Sequence, residues 1–315
     1  MKLLVTGGAG FIGSNFIHYI LREHSDYEVI NLDALTYAGS LENLEGVMDN
    51  PQHRFVQGRI EDGKLVGELM EGVVIVIYFA AESHVDRSIV EPQVFIVTNV
   101  LGTQVLLDAA LKYEIKLFFQ ISTDEVYGAL DLDSNQRFTE ESPLRPNSPY
   151  AASKTSADLL VRAYHRTFGL PILISRCSNN YGPRQHPEKF LPTVILSALQ
   201  DRPVPIYGDG LYVRDWIHVL DHCMAIDTVV SKGKIGEIYN IGTNNEWPNI
   251  ELAKKVLQIL GKSEDLLQSV TDRPGHDRRY ALDGDKMKRE LGWQPSISFD
   301  EGLSETIRWY AENGK

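Results

Sequence analysis

The sequence predicts an α/β chain, a doubly wound parallel sheet that carries a smaller C-terminal lobe. Three observations lead there. Short β-branched runs alternate with amphipathic helical stretches through the first half, and those runs are too apolar to face water. Twelve of the fourteen prolines fall from Pro143 onward, which marks a second half richer in loops. At 315 residues the chain suits two units of roughly 150 residues each.

Taken in order, Leu3–Thr6, Glu28–Leu32, Arg54–Gln57, Val73–Phe79 and Leu117–Ser122 read as strands. Between them Phe11–Glu23 and Gln93–Tyr113 carry apolar positions at helical spacing. Ile172–Ser175 and Gly236–Ile241 are strand-like again and belong to the same sheet, so the two units interleave. The first is expected over residues 1–176 with a returning segment near 205–242, and the second mainly over 177–315.

Composition narrows the function classes. Hydrophobic residues at 43% and charged residues at 23% describe a globular chain able to bury a large core. Lys+Arg number 31 against 43 Asp+Glu, a net charge of −12, and no basic stripe interrupts that balance, so a nucleic-acid partner is not expected. Cys177 and Cys223 are too few for a disulfide scaffold and fit a reducing compartment. The longest strongly apolar stretch, Gly72–Ala81, is about half of the ~20 residues a membrane span needs. Met1–Val5 runs straight into glycines, too short for a signal peptide. A soluble cytoplasmic protein is expected.

The first chemical motif follows the first strand. Gly7, Gly10 and Gly13 form a turn between a buried strand and a helix start, where missing side chains let the backbone approach a pyrophosphate. Asp33 closes the second strand twenty residues later, and a carboxylate there accepts ribose hydroxyls and repels a 2′-phosphate. This is the Rossmann arrangement, with NAD rather than NADP as the expected cofactor. The spacing Gly7-x-x-Gly10-x-x-Gly13 differs from that of ordinary dehydrogenases, and no Gly-Lys-Ser/Thr follows to make a P-loop.

The second motif opens a helix. Ser148 caps it, Pro149 takes its first position, and Tyr150 and Lys154 lie one turn apart on one face. An ammonium beside a phenol favours phenolate, so Lys154 is expected to lower the Tyr150 pKa and make it a base for an alcohol proton. Cys177 has no His–acid pair and reads as a packed strand-end residue near the cofactor. No Cys/His set has zinc-ligand spacing, and no metal is expected.

With these residues the chain resembles the extended short-chain dehydrogenase/reductase superfamily over its whole length. Within that superfamily it is similar to the dTDP-glucose 4,6-dehydratases. The resemblance rests on Ile121-Ser122-Thr123-Asp124-Glu125, Ala80-Ala81-Glu82-Ser83-His84 and Cys177-Ser178-Asn179-Asn180-Tyr181-Gly182-Pro183. Further matches are Pro187-Glu188-Lys189-Phe190-Leu191-Pro192, Tyr207-Gly208-Asp209-Gly210, Arg214-Asp215-Trp216 and Asp272-Arg273-Pro274-Gly275-His276-Asp277.

The resemblance implies a lyase of deoxysugar biosynthesis that oxidises C4 of a dTDP-glucose, eliminates water across C5 and C6, and returns the hydride to C6. Glu125 would be the C5 base, Asp124 the acid for the C6 hydroxyl, Tyr150 the C4-hydroxyl base and Thr123 its hydrogen-bonding neighbour. Lys154 would hold the nicotinamide ribose. Gly7, Gly10, Phe11, Ile12, Gly13, Asp33, Ile60, Ala80, Ala81, Thr98, Tyr150, Lys154 and Cys177 would line the NAD site. His84, Thr123, Asn179, Lys189, Phe190, Pro205, Tyr207, Arg214, Asn249, Arg273 and His276 would hold the dTDP-sugar, in what would be a nucleotide-sugar-binding lobe. A homodimer through Gln93–Tyr113 and Tyr150–Thr167 is also implied.

Two points stay open in the sequence. Adjacent strand residues face opposite ways, so Asp124 and Glu125 can share a sugar only if the chain bends at Thr123. The family's usual Gly-Asp-Ile after the third strand is Gly58-Arg59-Ile60 here, and Arg59 cannot accept a hydrogen bond from adenine. The rival readings are a 4-epimerase, a decarboxylase, or a 4,6-dehydratase acting on another nucleotide.

Overall fold

A computed structural model describes residues 1–314. The strands are β1 (Lys2–Thr6), β2 (Glu28–Asp33), β3 (His53–Gln57), β4 (Ile75–Tyr78), β5 (Leu117–Thr123), β6 (Ile172–Cys177), β7 (Asn179–Tyr181), β8 (Val204–Tyr207), β9 (Val213–His218), β10 (Ile238–Ile241), β11 (Glu246–Pro248) and β12 (Leu267–Val270). Seven of them make one parallel sheet in the order β10-β6-β5-β4-β1-β2-β3.

Alternation within β1 explains why both faces are covered. Leu3 and Val5 pack with Phe16, Ile17 and Ile226 on one side, while Leu4 packs with Leu106, Phe118 and Val161 on the other. The chain winds from β1 toward β3, then returns to place β4 on the far side of β1. That reversal leaves a crevice beyond the carboxyl ends of β1 and β4, where such sheets bind ligands.

The remaining strands form small sheets, β11-β9-β7 and β12-β8, around a core of Tyr181, Leu191, Val194, Trp216, Leu252, Val256 and Leu303. This corrects one boundary. β8 and β9 belong to these small sheets, so the segment returning to the large sheet is the Val219–Lys232 helix with β10, not residues 205–242. Propensity could not separate the two cases, because β9 is as buried and β-branched as a central strand.

Phe11–Glu23 is a helix as expected, and Tyr150–Thr167 lies within the longer helix Pro149–Phe168. Pro92–Lys112 is one apolar helix of 21 residues, long enough to cross a membrane, which corrects Gly72–Ala81 as the longest apolar element. It matches the helix expected over Gln93–Tyr113; its apolar length went uncounted because Gln93, Thr98, Asn99, Thr103 and Gln104 dilute the run without charging it. Half of its apolar window is buried within the fold, as in a core helix.

A π-helical turn, Ile96–Leu101, interrupts that helix. It places Asn99, fully buried, where its amide bridges Glu82 after β4 and Ser153 of the Pro149–Phe168 helix, at 2.9–3.0 Å. The same turn carries Thr98 to the wall of the crevice.

Candidate active site

The crevice is lined from β1 outward by all thirteen residues expected at the cofactor, including Phe11, Ile12, Ile60, Ala80 and Ala81. Gly7 has a φ of +73°, and a Cβ there would lie 2.6 Å from the Ala80 nitrogen. At Gly13 a Cβ would strike the Gly7 carbonyl oxygen at 2.3 Å. Gly10 differs: a Cβ there would meet just that oxygen, at 3.3 Å, so its bare face opens into the crevice. The helix that starts at Phe11 has no side-chain cap and no acid in its first turn, so its terminal amide groups are free for an anion.

Asp33 is buried at the far end of this groove. Its two oxygens accept the backbone N–H groups of Ala9 (2.8 Å) and Leu35 (2.7 Å), and each keeps a lone pair for a ribose hydroxyl. A glycine cradle, free helix amides and a held carboxylate fit a dinucleotide without a 2′-phosphate. Arg59 lines the Asp33 end of the crevice, as does Glu61, which accepts the Thr98 hydroxyl at 3.0 Å. Glu61, which sequence reasoning passed over, puts a carboxylate on the same wall as Arg59.

The groups expected to be catalytic come together where β5 ends. Thr123 is the last strand residue, and Asp124–Tyr127 then form a single 3₁₀ turn whose N-cap is Thr123, its hydroxyl accepting from the Glu125 N–H at 3.3 Å. The turn supplies the bend that strand geometry alone denied, so Asp124 and Glu125 both line the crevice. Ser148 caps the opposing helix by accepting the Ala151 N–H at 3.0 Å, and Tyr150 and Lys154 face the same space.

The two acids sit in different surroundings. Asp124 is 2% exposed, and its carboxyl is held well above the usual range by burial first and by Glu125 second. One of its oxygens accepts the Thr123 hydroxyl at 3.2 Å, while Oδ2 is buried with no partner, as suits an oxygen that carries a proton. Burial raises Glu125 too, but Arg273, Arg214 and Lys189 all pull it back down. The cations expected to bind a diphosphate therefore also favour an ionised base.

Tyr150 corrects an expectation. Its phenol lies well above its ordinary value, because burial, Glu125, Cys177 and Asp124 all disfavour phenolate and the Thr123 hydroxyl opposes them. Lys154 does not reverse this. Its ammonium donates to the Ile121 carbonyl at 2.9 Å, and burial lowers its own pKa while Asp158 and Cys177 raise it. Helical spacing put the two residues on one face but could not show the carboxylates beside the phenol. Cys177 is buried with its thiol pushed up to about 12, which makes it a poor nucleophile.

Among the residues expected at the sugar nucleotide, Thr123, Asn179 and Lys189 line the crevice. His84 does not; its Nδ1 caps the Val85–Val90 helix and its Nε2 lies 4.0 Å from Glu188. Phe190 and Pro205 are also outside that lining, Phe190 packing near Trp216 and Pro205 in β8. The others form a second wall around Asp86, which takes the Tyr207 hydroxyl and the Arg273 guanidinium at 3.4 Å each. Arg214 is buried over the Tyr280 ring at 4.3 Å, and His276 stacks on Tyr212 at 3.6 Å, its pKa lowered by burial to about 4. Arg273 Nε and Asn249 Oδ1 are buried without partners on this wall, as groups that receive a ligand would be. Asp86, Tyr212 and Tyr280 are parts of this wall that sequence reasoning missed; aromatic residues near arginines carry no spacing signal.

A Rossmann sheet with this glycine turn and a Tyr-x-x-x-Lys helix across the crevice defines an extended short-chain dehydrogenase/reductase. More narrowly, the chain belongs to the GDP-mannose 4,6-dehydratase family, whose model matches residues 4–306. It is 54% identical over 310 residues to the low-salt glycan biosynthesis protein Agl12 of Haloferax volcanii, covering 98% of both chains. It is 51% identical over 330 residues to a dTDP-glucose 4,6-dehydratase of Xanthomonas campestris, covering 98% of this chain and 93% of that one. The crystal structure of DesIV, a dTDP-glucose 4,6-dehydratase of Streptomyces venezuelae with NAD bound, superposes with a TM-score of 0.97 at 51% identity, covering 99% and 98% of the two chains.

Proposed function

We propose that this chain converts dTDP-glucose to dTDP-4-keto-6-deoxyglucose, using NAD that it keeps. The observation that carries the reading is the pairing at the end of β5: a buried, proton-favouring Asp124 with an orphaned Oδ2 beside Glu125, which three cations draw toward its ionised form. A 4-epimerase needs no such pair, because it has no water to expel.

Each residue then has a definite task. Tyr150 takes the proton of the C4 hydroxyl, with Thr123 hydrogen-bonding at the same oxygen. The C4 ketone so formed acidifies C5–H, which Glu125 removes as Asp124 protonates the departing C6 hydroxyl. Glu125, its proton exchanged with solvent, then protonates C5; C4 stays a ketone, and the proton Tyr150 took offsets the one Asp124 gave up. When bound, NAD supplies hydride acceptance at C4 and hydride return at C6, and its positive ring favours a phenolate nearby. Gly7, Gly10 and Gly13 admit the pyrophosphate, Asp33 holds the adenosine ribose and Lys154 the nicotinamide ribose. Arg214, Arg273 and Lys189 gather the charge an acidic protein needs to hold a sugar diphosphate, with Tyr207, Asn249 and His276 beside them.

Turnover of dTDP-glucose in heavy water without added NAD tests the reading. The expected product is a 4-keto-6-deoxy sugar with one solvent deuteron at C5 and the C4 hydrogen moved to C6. An intact skeleton, or inversion at C4, overturns it in favour of an epimerase.

We further propose a homodimer in the cytoplasm. Val94, Val97 and Leu101 are exposed along one side of Pro92–Lys112, Val90 is 79% exposed at the end of the helix before it, and Leu159 of Pro149–Phe168 is exposed as well. A second copy of the same face would cover this stripe.

A further inference from the structure

Three separate segments meet at one rim of the crevice: the loop after β2, the segment after β4, and the loop after β7. Their junction is the Tyr37 ring. The Arg87 guanidinium lies over its face at 3.9 Å, and the His186 ring meets it edge-on at 5.7 Å. The Tyr37 hydroxyl is 3.4 Å from Ser83 Oγ, and Lys189 donates to the Ser83 carbonyl at 3.0 Å. Glu188 closes the circuit, with Oε2 3.4 Å from Arg87 Nε and Oε1 3.8 Å from His186 Nδ1.

Position gives these contacts meaning. Thr36, Ala38, Ser83, His186 and Lys189 line the crevice, whereas Tyr37, Arg87 and Glu188 do not. The three therefore tie the rim together from outside the ring of lining residues. They join segments that follow strands of the large sheet to a segment of the other lobe. None of them has a part in the proton transfers above. A cofactor that is reduced and reoxidised within each turnover gains nothing by leaving.

We propose that Tyr37, Arg87 and Glu188 are a clasp that retains the dinucleotide between turnovers. The proposal rests on the NAD reading above. Releasing the cofactor requires the loop after β2 to part from the other two segments, and the stacked guanidinium and its carboxylate resist that parting.

The test is the rate at which NAD leaves purified holoenzyme after dilution, measured on the filtered small-molecule fraction. Tyr37→Ala is expected to release NAD about tenfold faster than wild type, and to need added NAD for sustained turnover. Tyr37→Phe keeps the ring under Arg87 and is expected to release it at the wild-type rate. Arg87→Gln, at a side chain 51% exposed, is expected to behave like Tyr37→Ala and keeps the test decisive if that variant folds poorly. Release at the wild-type rate from Arg87→Gln overturns the clasp alone. Wild-type protein that carries no NAD overturns the cofactor reading and the clasp with it.

Discussion

Glu125→Gln separates the two halves of the reaction. It removes the C5 base and leaves Tyr150 in place, so bound NAD should become reduced on adding dTDP-glucose, visible as stable absorbance near 340 nm, without a keto-deoxy product. Tyr150→Phe should show neither signal, since the first proton transfer is gone; losses of about 10²–10⁴-fold in kcat are usual for such groups. Normal turnover by Glu125→Gln would require another base.

The acids also fix the pH dependence. The proposed mechanism needs Glu125 ionised and Asp124 protonated, so kcat should fall as pH drops through the raised Glu125 pKa and again as pH climbs through the strongly raised Asp124 pKa. Stability follows with the opposite sign from a salt-bridged carboxylate. A raised folded-state pKa means that an ionised Asp124 costs stability above its unfolded value near 3.8. Asp124→Asn should thus stabilise the protein at pH 8, by on the order of 1 kcal/mol, and the gain should vanish near pH 4. Thermal melts at both pH values check this.

At the level of single elements, the Pro149–Phe168 helix does two jobs with one face. Tyr150 and Lys154 face the crevice, and one turn on Asp158, fully buried, holds Arg176 of β6 at 2.9 Å. Arg176 also donates to the Tyr127 hydroxyl at 3.0 Å, and Tyr127 donates to Asn240 of β10 at 2.7 Å. The catalytic turn after β5 is thereby fastened to two neighbouring strands. Asp158→Ala leaves a buried guanidinium without its partner and should cost about 3–5 kcal/mol, read as a lower denaturant midpoint. An Asp158→Ala, Arg176→Met double variant should recover most of that loss.

Across the whole molecule, two lobes share the work, and the proposed second copy would cover what they leave exposed. The large sheet presents the glycine turn and Asp33 at its strand ends, and the other lobe brings Lys189, Arg214 and Arg273 toward Glu125 from the opposite side. Helices on the outer side of the sheet are left with an apolar stripe. Sedimentation of the wild type should give a dimer, and Val94→Glu with Leu101→Glu should give a monomer. A monomeric wild type would leave that stripe without the occupant proposed for it.

The strand–turn–helix with Asp33, the capped Tyr150–Lys154 helix and the alternating β-α rhythm were legible in the sequence. Each rests on local rules: period, capping and glycine's freedom act within a few residues. Folding decided what sequence distance hides. The carboxylates that raise Tyr150, the wall around Asp86 and the contacts at Tyr37 all depend on groups dozens of residues apart. Electrostatic shifts and cleft walls are set by distance in space and by burial, and no spacing along a chain encodes those before the sheet has formed.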